Sequence, residues 1–463
     1  MSQPAVMLVD VATKTCFKCG ECGVESPKWA GRCSQCSAWN SLVEELRSPA
    51  ASVSGLGGVT AMPIGEVSGV GVDAVPTSIG ELDRVLGGGL VAGSVSLIGG
   101  EPGIGKSTLV LQLAGVLAKS GLRVLYVTGE ESTTQVRGRA DRLGAIEPQL
   151  WLAACPDVTM IRSLVEEVEP HVLVIDSIQA VYVPGAAGVS GGAAQVRDCA
   201  QRLVELAKSR SMATLLVGQV TKDGELAGPK ALEHVVDTVL SFEGDRHHTL
   251  RFLRAVKHRF GGTGELGLFE MSAAGLEEVR DPSALFLADR VAGVAGSVVV
   301  PVVEGGRPLL VEVQALVTRS TLPQPRRSAQ GVDGGRASLL AAVLQRRALV
   351  DVSSHDVYVS AVGGVRISEP AADLAILLAM ATARQGAPFP ADTVACGEIG
   401  LVGEVRRVTD EQRRLSEAAR LGFTRAIVPA STDEGPAGLE LVRVQHVRDA
   451  LDFARVPPSA SEE

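Results

Sequence analysis

The sequence predicts an α/β protein with a mainly parallel sheet covered by helices on both faces. Three observations predict it. Between about residues 76 and 280, apolar strand-like runs alternate with helical segments. The first four runs, "SVSLIGG" (94–100), "RVLYVTG" (123–129), "HVLVID" (171–176) and "TLLVGQ" (214–219), are apolar, as strands buried on both faces must be. The junction after the first run carries the complete pattern G-x-x-x-x-G-K-[ST], from Gly100 to Ser107.

Helical segments at 106–119, 157–168 and 193–209 separate these strands, the order expected of parallel pairing. Three later runs, "TVLSF" (238–242), "TLRFLRAV" (249–256) and "LGLFEM" (266–271), lack intervening helices and read as a hairpin extension of the sheet. The remainder mixes strands with helices at 336–349, 370–384 and 410–421, interrupted by a basic, Pro-containing loop at 321–336. The expected organisation is a Cys-rich module over 1–47, a Gly-rich linker over 48–75 and a nucleotide-binding domain over 76–281. A connecting part over 282–349, an α+β domain over 350–456 and a frayed tail over 457–463 follow.

Composition excludes some functions. With 46% apolar and 3% aromatic residues, the cores must be aliphatic. A formal net charge of -9 argues against a general polyanion binder, so a nucleic-acid surface would have to be a local patch. No basic-then-apolar run opens the chain. The best apolar stretch, "AADLAILLAMATA" (371–383), contains Asp373 and falls short of the ~20 residues a membrane span requires. A cytoplasmic protein with no membrane partner is expected.

The Gly100–Ser107 loop comprises Gly100, Glu101, Pro102, Gly103, Ile104, Gly105, Lys106 and Ser107. Its glycines let backbone N–H groups curl around phosphate oxygens, and the following helix N-terminus adds positive potential. Lys106 is expected at the β- and γ-phosphates and Ser107 on Mg²⁺. "HVLVID" ends in Asp176, an acid placed to hold Mg²⁺. "YVTGEES" (126–132) offers a carboxylate to orient the attacking water, Glu130 first and Glu131 in reserve. Gln219, ending its strand, is a candidate sensor of the γ-phosphate. Helix capping by "EES" and a satisfied polar strand end are the structural alternatives.

In "CFKCGECGVESPKWAGRCSQCSAWN", Cys19/Cys22 and Cys33/Cys36 form two C-x-x-C pairs suited to tetrahedral Zn²⁺. Cys16 also pairs with Cys19 at that spacing, which leaves the register open. A closed four-thiolate site is structural, and so short a segment depends on its metal to fold.

Residues 256–264, "VKHRFGGTG", close a run from Arg246 to Arg259 with five Arg/Lys, three His and no acid. Together, "ECGVESPKWAGRCSQC", the phosphate loop, "GEES" and "KHRFG" closely resemble the bacterial RadA (Sms) family of recombination ATPases. The family pentapeptide has Asn where this chain has His258; Lys257, Arg259, Phe260 and Gly261 match. The resemblance implies a RecA-like core in a ring, hexameric like DnaB-type helicases. It implies a DNA-dependent ATPase using ATP and Mg²⁺, promoting branch migration of recombination intermediates alongside the RecA recombinase.

In such rings Lys257 and Arg259 would reach the neighbouring subunit's nucleotide; contact with DNA phosphate and a solvated strand end are the alternatives. The loops at 183–198 and 221–234 resemble the family's DNA-binding loops, with Arg197, Lys222 and Lys230 as phosphate contacts for single-stranded and branched DNA. From about residue 350 the chain resembles the proteolytic domain of Lon, but Ala371 stands at the nucleophilic Ser and Gln412 at the Lys. The fold without the chemistry is expected, with Arg406, Arg407, Arg413 and Arg414 forming a positive face or a solvated helix. An ATP-dependent peptidase and a nucleotide-gated scaffold are the competing readings.

Overall fold

The computed structural model describes residues 74–186, 189, 191–219, 232–244 and 249–455, with 15–19, 25–26, 28–34, 39 and 42–46 of the N-terminal region. The chain divides into two units, Met1–Val70 and Gly71–Glu463. In the first, Thr15–Cys19 is the centre of a three-stranded antiparallel sheet, flanked by Glu25–Ser26 and Leu42–Leu46. The Arg32 guanidinium lies 5.6 Å from the centroid of the Trp39 ring. No described helix is long and apolar enough to cross a membrane.

The second unit opens with a short strand, Ala74–Val75, paired with Leu90–Val91, with helix α1 (Gly80–Val85) between them. Strands and helices then alternate: β1 (Val95–Gly100), α2 (Lys106–Lys119), β2 (Val124–Thr128), α3 (Thr133–Arg142), β3 (Leu150–Ala154), α4 (Val158–Val168), β4 (Val172–Asp176), α5 (Ala193–Arg210) and β5 (Ala213–Gln219). An antiparallel meander follows: β6 (Thr238–Glu243), β7 (Leu250–His258), β8 (Leu266–Ser272) and β9 (Gly275–Glu278). The nine strands form one sheet in the order β9-β8-β7-β6-β1-β5-β4-β2-β3, parallel from β6 to β3. The central strands β1, β2 and β5 are buried almost throughout because helices cover both faces.

This is the α/β architecture the sequence predicts, with additions. Helix α3 escaped the periodicity reading because only Val136 and Ala140 of its ten residues are buried. Its signal was the capping box: Ser132 accepts from Gln135 N while the Gln135 side chain accepts from Ser132 N. Strand β3 is an edge strand with Trp151 half exposed, so it lacks the continuous apolar run of its neighbours.

A second, seven-stranded sheet follows α6 (Pro282–Leu287). Its strands and helices are β10 (Ser297–Glu304), β11 (Arg307–Arg319), β12 (Arg327–Gln330), α7 (Gly334–Arg347), β13 (His355–Ala361), α8 (Asp373–Gln385) and β14 (Thr393–Ala395). A small hairpin, β15 (Glu398–Ile399) and β16 (Val405–Arg406), precedes α9 (Glu411–Arg420), β17 (Arg425–Pro429), β18 (Glu440–Val444) and α10 (Val447–Phe453). The order is β12-β13-β11-β10-β14-β17-β18, so strands from both sides of residue 350 share one sheet. Ten consecutive residues of α8, Asp373–Thr382, are buried against it. That explains an apolar run too short to span a membrane.

Candidate nucleotide site

The phosphate loop leaves the buried end of β1 and enters α2 through Gly105, which caps the helix at φ 113°. A Cβ there would be strained and would lie 2.5 Å from Met271 Cε. Gly100 is equally confined: a Cβ would meet the Phe242 carbonyl at 2.3 Å. These positions require glycine, and they leave the loop's N–H groups and the helix N-terminus free of side-chain bulk. Lys106 is almost wholly buried and donates through Nζ to the carbonyls of Gly100 and Glu101, both at 2.8 Å. Burial lowers its pKa, opposed by Asp176, Glu130 and Glu101. From β7, Arg251 Nε holds the loop from behind, donating to the Ile104 carbonyl at 3.0 Å.

Sheet register brings the other groups to the same edge. Gly100 pairs with Gln219, and Asp176 pairs with Val217 on one side and Thr128 on the other. Burial raises the Asp176 pKa, and hydrogen bonds from Tyr126 and Ser107 oppose it. Tyr126, fully buried, donates to Asp176 Oδ2 at 2.5 Å. Ser107 and Asp176, the two expected Mg²⁺ ligands, are therefore in contact across the loop. These oxygen donors suit a hard cation, which would draw β- and γ-phosphate charge towards Lys106.

The two acids of "GEES" part company. Glu130 Oε1 accepts from Ser177 Oγ at 2.6 Å, directly beside Asp176. Glu131 accepts from Arg139 Nη2 at 2.6 Å and faces α3. Gln219 accepts through its carbonyl from Gln179 Nε2 at 3.3 Å. Sequence reading missed Tyr126, Ser177 and Arg139. Tyr126 looked like one more apolar strand residue, and only the register, one strand from Asp176, shows its use.

The signature pentapeptide lies elsewhere. Strand β7 runs antiparallel to β6, so its first residues adjoin the phosphate loop and its last lie at the opposite edge. His258 pairs with Thr238, which pairs with Ser96 near the start of β1. Lys257 Nζ donates to the carbonyls of Glu233 and Val236. Arg259, half exposed, pairs with Asp237 at 3.1 Å. Asp237 is buried and anchors β1 by accepting from Val95 N at 3.0 Å. His258 Nδ1 hydrogen-bonds the Thr238 hydroxyl at 2.9 Å, and its ring packs against Gly87 and Gly261. Burial lowers its pKa, with the Leu86 backbone opposing.

Of the expected DNA contacts, Arg197 is exposed on the second turn of α5, while Lys222 and Lys230 lie outside the described residues. Of the expected Zn²⁺ ligands, Cys33 is buried and Cys19 ends a strand; the Cys19 side chain, Cys22 and Cys36 lie outside the described residues. In the C-terminal sheet region Ala371 is buried, and the Gln412 amide donates to the Glu434 carbonyl.

Of the four arginines weighed as a positive face or a solvated helix, Arg414 fits neither. Arg414 is only 1% exposed and forms a bidentate pair with Glu369, both contacts at 2.6 Å, while also donating to Pro301 O. Arg406 pairs with Glu404, and Arg407 with Glu411 and Asp433. Carboxylates neutralise three of the four cations.

The fold and site define a P-loop ATPase of the RecA-like α/β class. Comparison with known proteins agrees. A family model described as an AAA domain matches residues 62–225, and one described as a rubredoxin metal binding domain matches 17–44. The DNA repair protein RadA of Halalkalibacterium halodurans is 49% identical over 448 residues, 95% of this chain and 98% of that protein. Those of Bacillus subtilis and Mycolicibacterium smegmatis are 48% and 46% identical, each over 450 residues and 95% of this chain. The chain belongs to the RadA family of DNA repair proteins.

Proposed function

We propose that this protein is a DNA-dependent ATPase working as a ring motor, hexameric in the DnaB manner. It promotes branch migration of recombination intermediates beside a RecA recombinase, on single-stranded and branched DNA in the cytoplasm. Each subunit binds ATP–Mg²⁺ through Gly100–Ser107 and Asp176. Glu130 orients the attacking water, Gln219 reads the γ-phosphate, and Lys257 and Arg259 complete the next subunit's site. Arg197, Lys222 and Lys230 track the DNA backbone, Cys19, Cys22, Cys33 and Cys36 hold a structural Zn²⁺, and the C-terminal domain assembles the ring without peptidase chemistry.

The observation that carries this reading is the length of β7. Arg251 touches the phosphate loop of its own subunit, whereas Arg259 comes eight residues later, just past the end of this extended strand. At ~3.3 Å per residue that is roughly 26 Å, too far for any side chain to return. A cation that serves ATP hydrolysis from there must serve a neighbour's ATP. Charge developing on the γ-phosphoryl oxygens is what such a cation neutralises.

Arg259→Ala is expected to leave ATP binding intact and to cut turnover by about 10³-fold, the scale of an arginine finger. Lys106→Ala subunits lack hydrolysis but offer intact cations. Mixing the two variants should restore activity at interfaces that pair a sound loop with a sound Arg259. Full single-turnover hydrolysis by Arg259→Ala rings would sink the assignment.

A further inference from the structure

The geometry points to a positioning role for the β10–β11 turn, Glu304–Arg307: the C-terminal sheet sets the loop that carries the signature cations. This rests on the trans-acting role proposed for Arg259. The loop after β7, residues 259–265, is held at one end by the Arg259–Asp237 pair and by His258 against Gly87. At the other end it meets the turn. Gly305 and Gly306 both have positive φ, 55° and 73°, and lie flat against Gly264. A Cβ on Gly305 would come 2.3 Å from the Gly264 carbonyl. Two glycines thus permit a backbone-to-backbone approach that no side chain would allow.

Ion pairs on both flanks fix the turn. Glu304 is paired with Arg254, which lies on β7 three residues before Lys257. Arg307 is buried and paired with Glu81 of α1, whose carboxylate also accepts from Leu268 N at 2.9 Å on β8. Breaking either partner of a buried pair leaves an uncompensated charge, so the turn cannot slide cheaply. The C-terminal sheet therefore braces β7, β8 and the loop between them at three points. The brace acts through the placement of Arg259.

The test compares Gly305→Ala and the milder Glu304→Gln, each in the full chain. Expected for Gly305→Ala is ATP affinity within about twofold of wild type and a single-turnover rate lower by on the order of 10- to 100-fold, the cost of misplacing a reacting group by about 1 Å. Glu304→Gln should lie between that variant and wild type.

Mixing separates positioning from general damage. A subunit with a displaced loop keeps a sound phosphate site, so added Lys106→Ala subunits should restore hydrolysis to Gly305→Ala. The parallel mixture of Arg259→Ala with Lys106→Ala is the control. A wild-type rate in Gly305→Ala, or no restoration while the control is restored, overturns the positioning role alone. No restoration in the control overturns the trans-acting reading and this inference with it.

Discussion

The two ends of the strands in the nine-stranded sheet, the phosphate edge and the signature edge, hold Lys106 and Arg259 differently. At the phosphate edge, three of the expected catalytic groups already have partners. Lys106 is held by two carbonyls, Asp176 by Tyr126 and Ser107, and Glu130 by Ser177. At the signature edge, Arg259 is half exposed, with one partner at 3.1 Å. A site organised before its ligand arrives has no reorganisation cost when charge develops. A cation destined for a second chain needs the reverse: a hold loose enough to exchange Asp237 for a phosphate. On the proposed trans-acting reading, that looser hold is what would free Arg259 for a neighbouring subunit, whereas Lys257 would first have to leave two carbonyls.

The sharpest way to break that comparison is at the phosphate edge. Glu130→Gln keeps the hydrogen bond to Ser177 but removes the charge that would draw a proton from water. Turnover is expected to fall by roughly 10²–10⁴-fold with nucleotide affinity preserved. Glu131→Gln, whose carboxylate is occupied by Arg139, should stay within about threefold of wild type. Rapid-quench measurement of ATP cleavage decides between them; equal losses would mean the two acids are not divided as the geometry divides them.

The legibility of the sequence follows the same division. The phosphate loop was readable because one continuous stretch must satisfy both a strand end and a helix start, which fixes its glycines. Asp176 was readable as the acid ending an apolar strand. Tyr126 was not, since its role depends on β2 lying beside β4, and register is not written in a single strand. In the basic run 246–259 the sequence alone does not show where each cation goes; strand geometry distributes the described ones: Arg251 to the phosphate loop, Arg254 to Glu243 and Glu304, Lys257 to two carbonyls and Arg259 to Asp237. Arg414 misled for a related reason. It looks like a helix-surface cation, yet its partner Glu369 comes from a distant turn and draws it into the core.

A milder change sharpens the picture of a preset phosphate edge. Tyr126→Phe preserves the buried ring and removes only the hydrogen bond to Asp176. Without it one carboxylate oxygen loses its orientation, and the Mg²⁺ concentration for half-maximal hydrolysis should rise by about tenfold, the scale of a hydrogen bond to a charged group. Direct Mg²⁺ titration of nucleotide binding provides a second readout. An unchanged Mg²⁺ dependence would mean that Ser107 alone suffices to orient Asp176.

The smallest expected effect lies at the signature edge, in the one residue that departs from the family pentapeptide. Burial depresses the pKa of His258 below the ordinary 6.5. The folded chain therefore favours the neutral ring, and the unfolded chain takes up the proton first. The contribution of neutral His258 is fully present above pH 6.5 and is lost as the pH falls from there through the depressed value. Asn cannot titrate. His258→Asn should therefore remove this part of the acid sensitivity, narrowing the loss of Tm between pH 7.5 and pH 5.5 by about one to two degrees. Thermal melts of both proteins at the two pH values test it. Identical losses would mean that the His258 ring, packed between Gly87 and Gly261, accepts a proton as readily as it does in water.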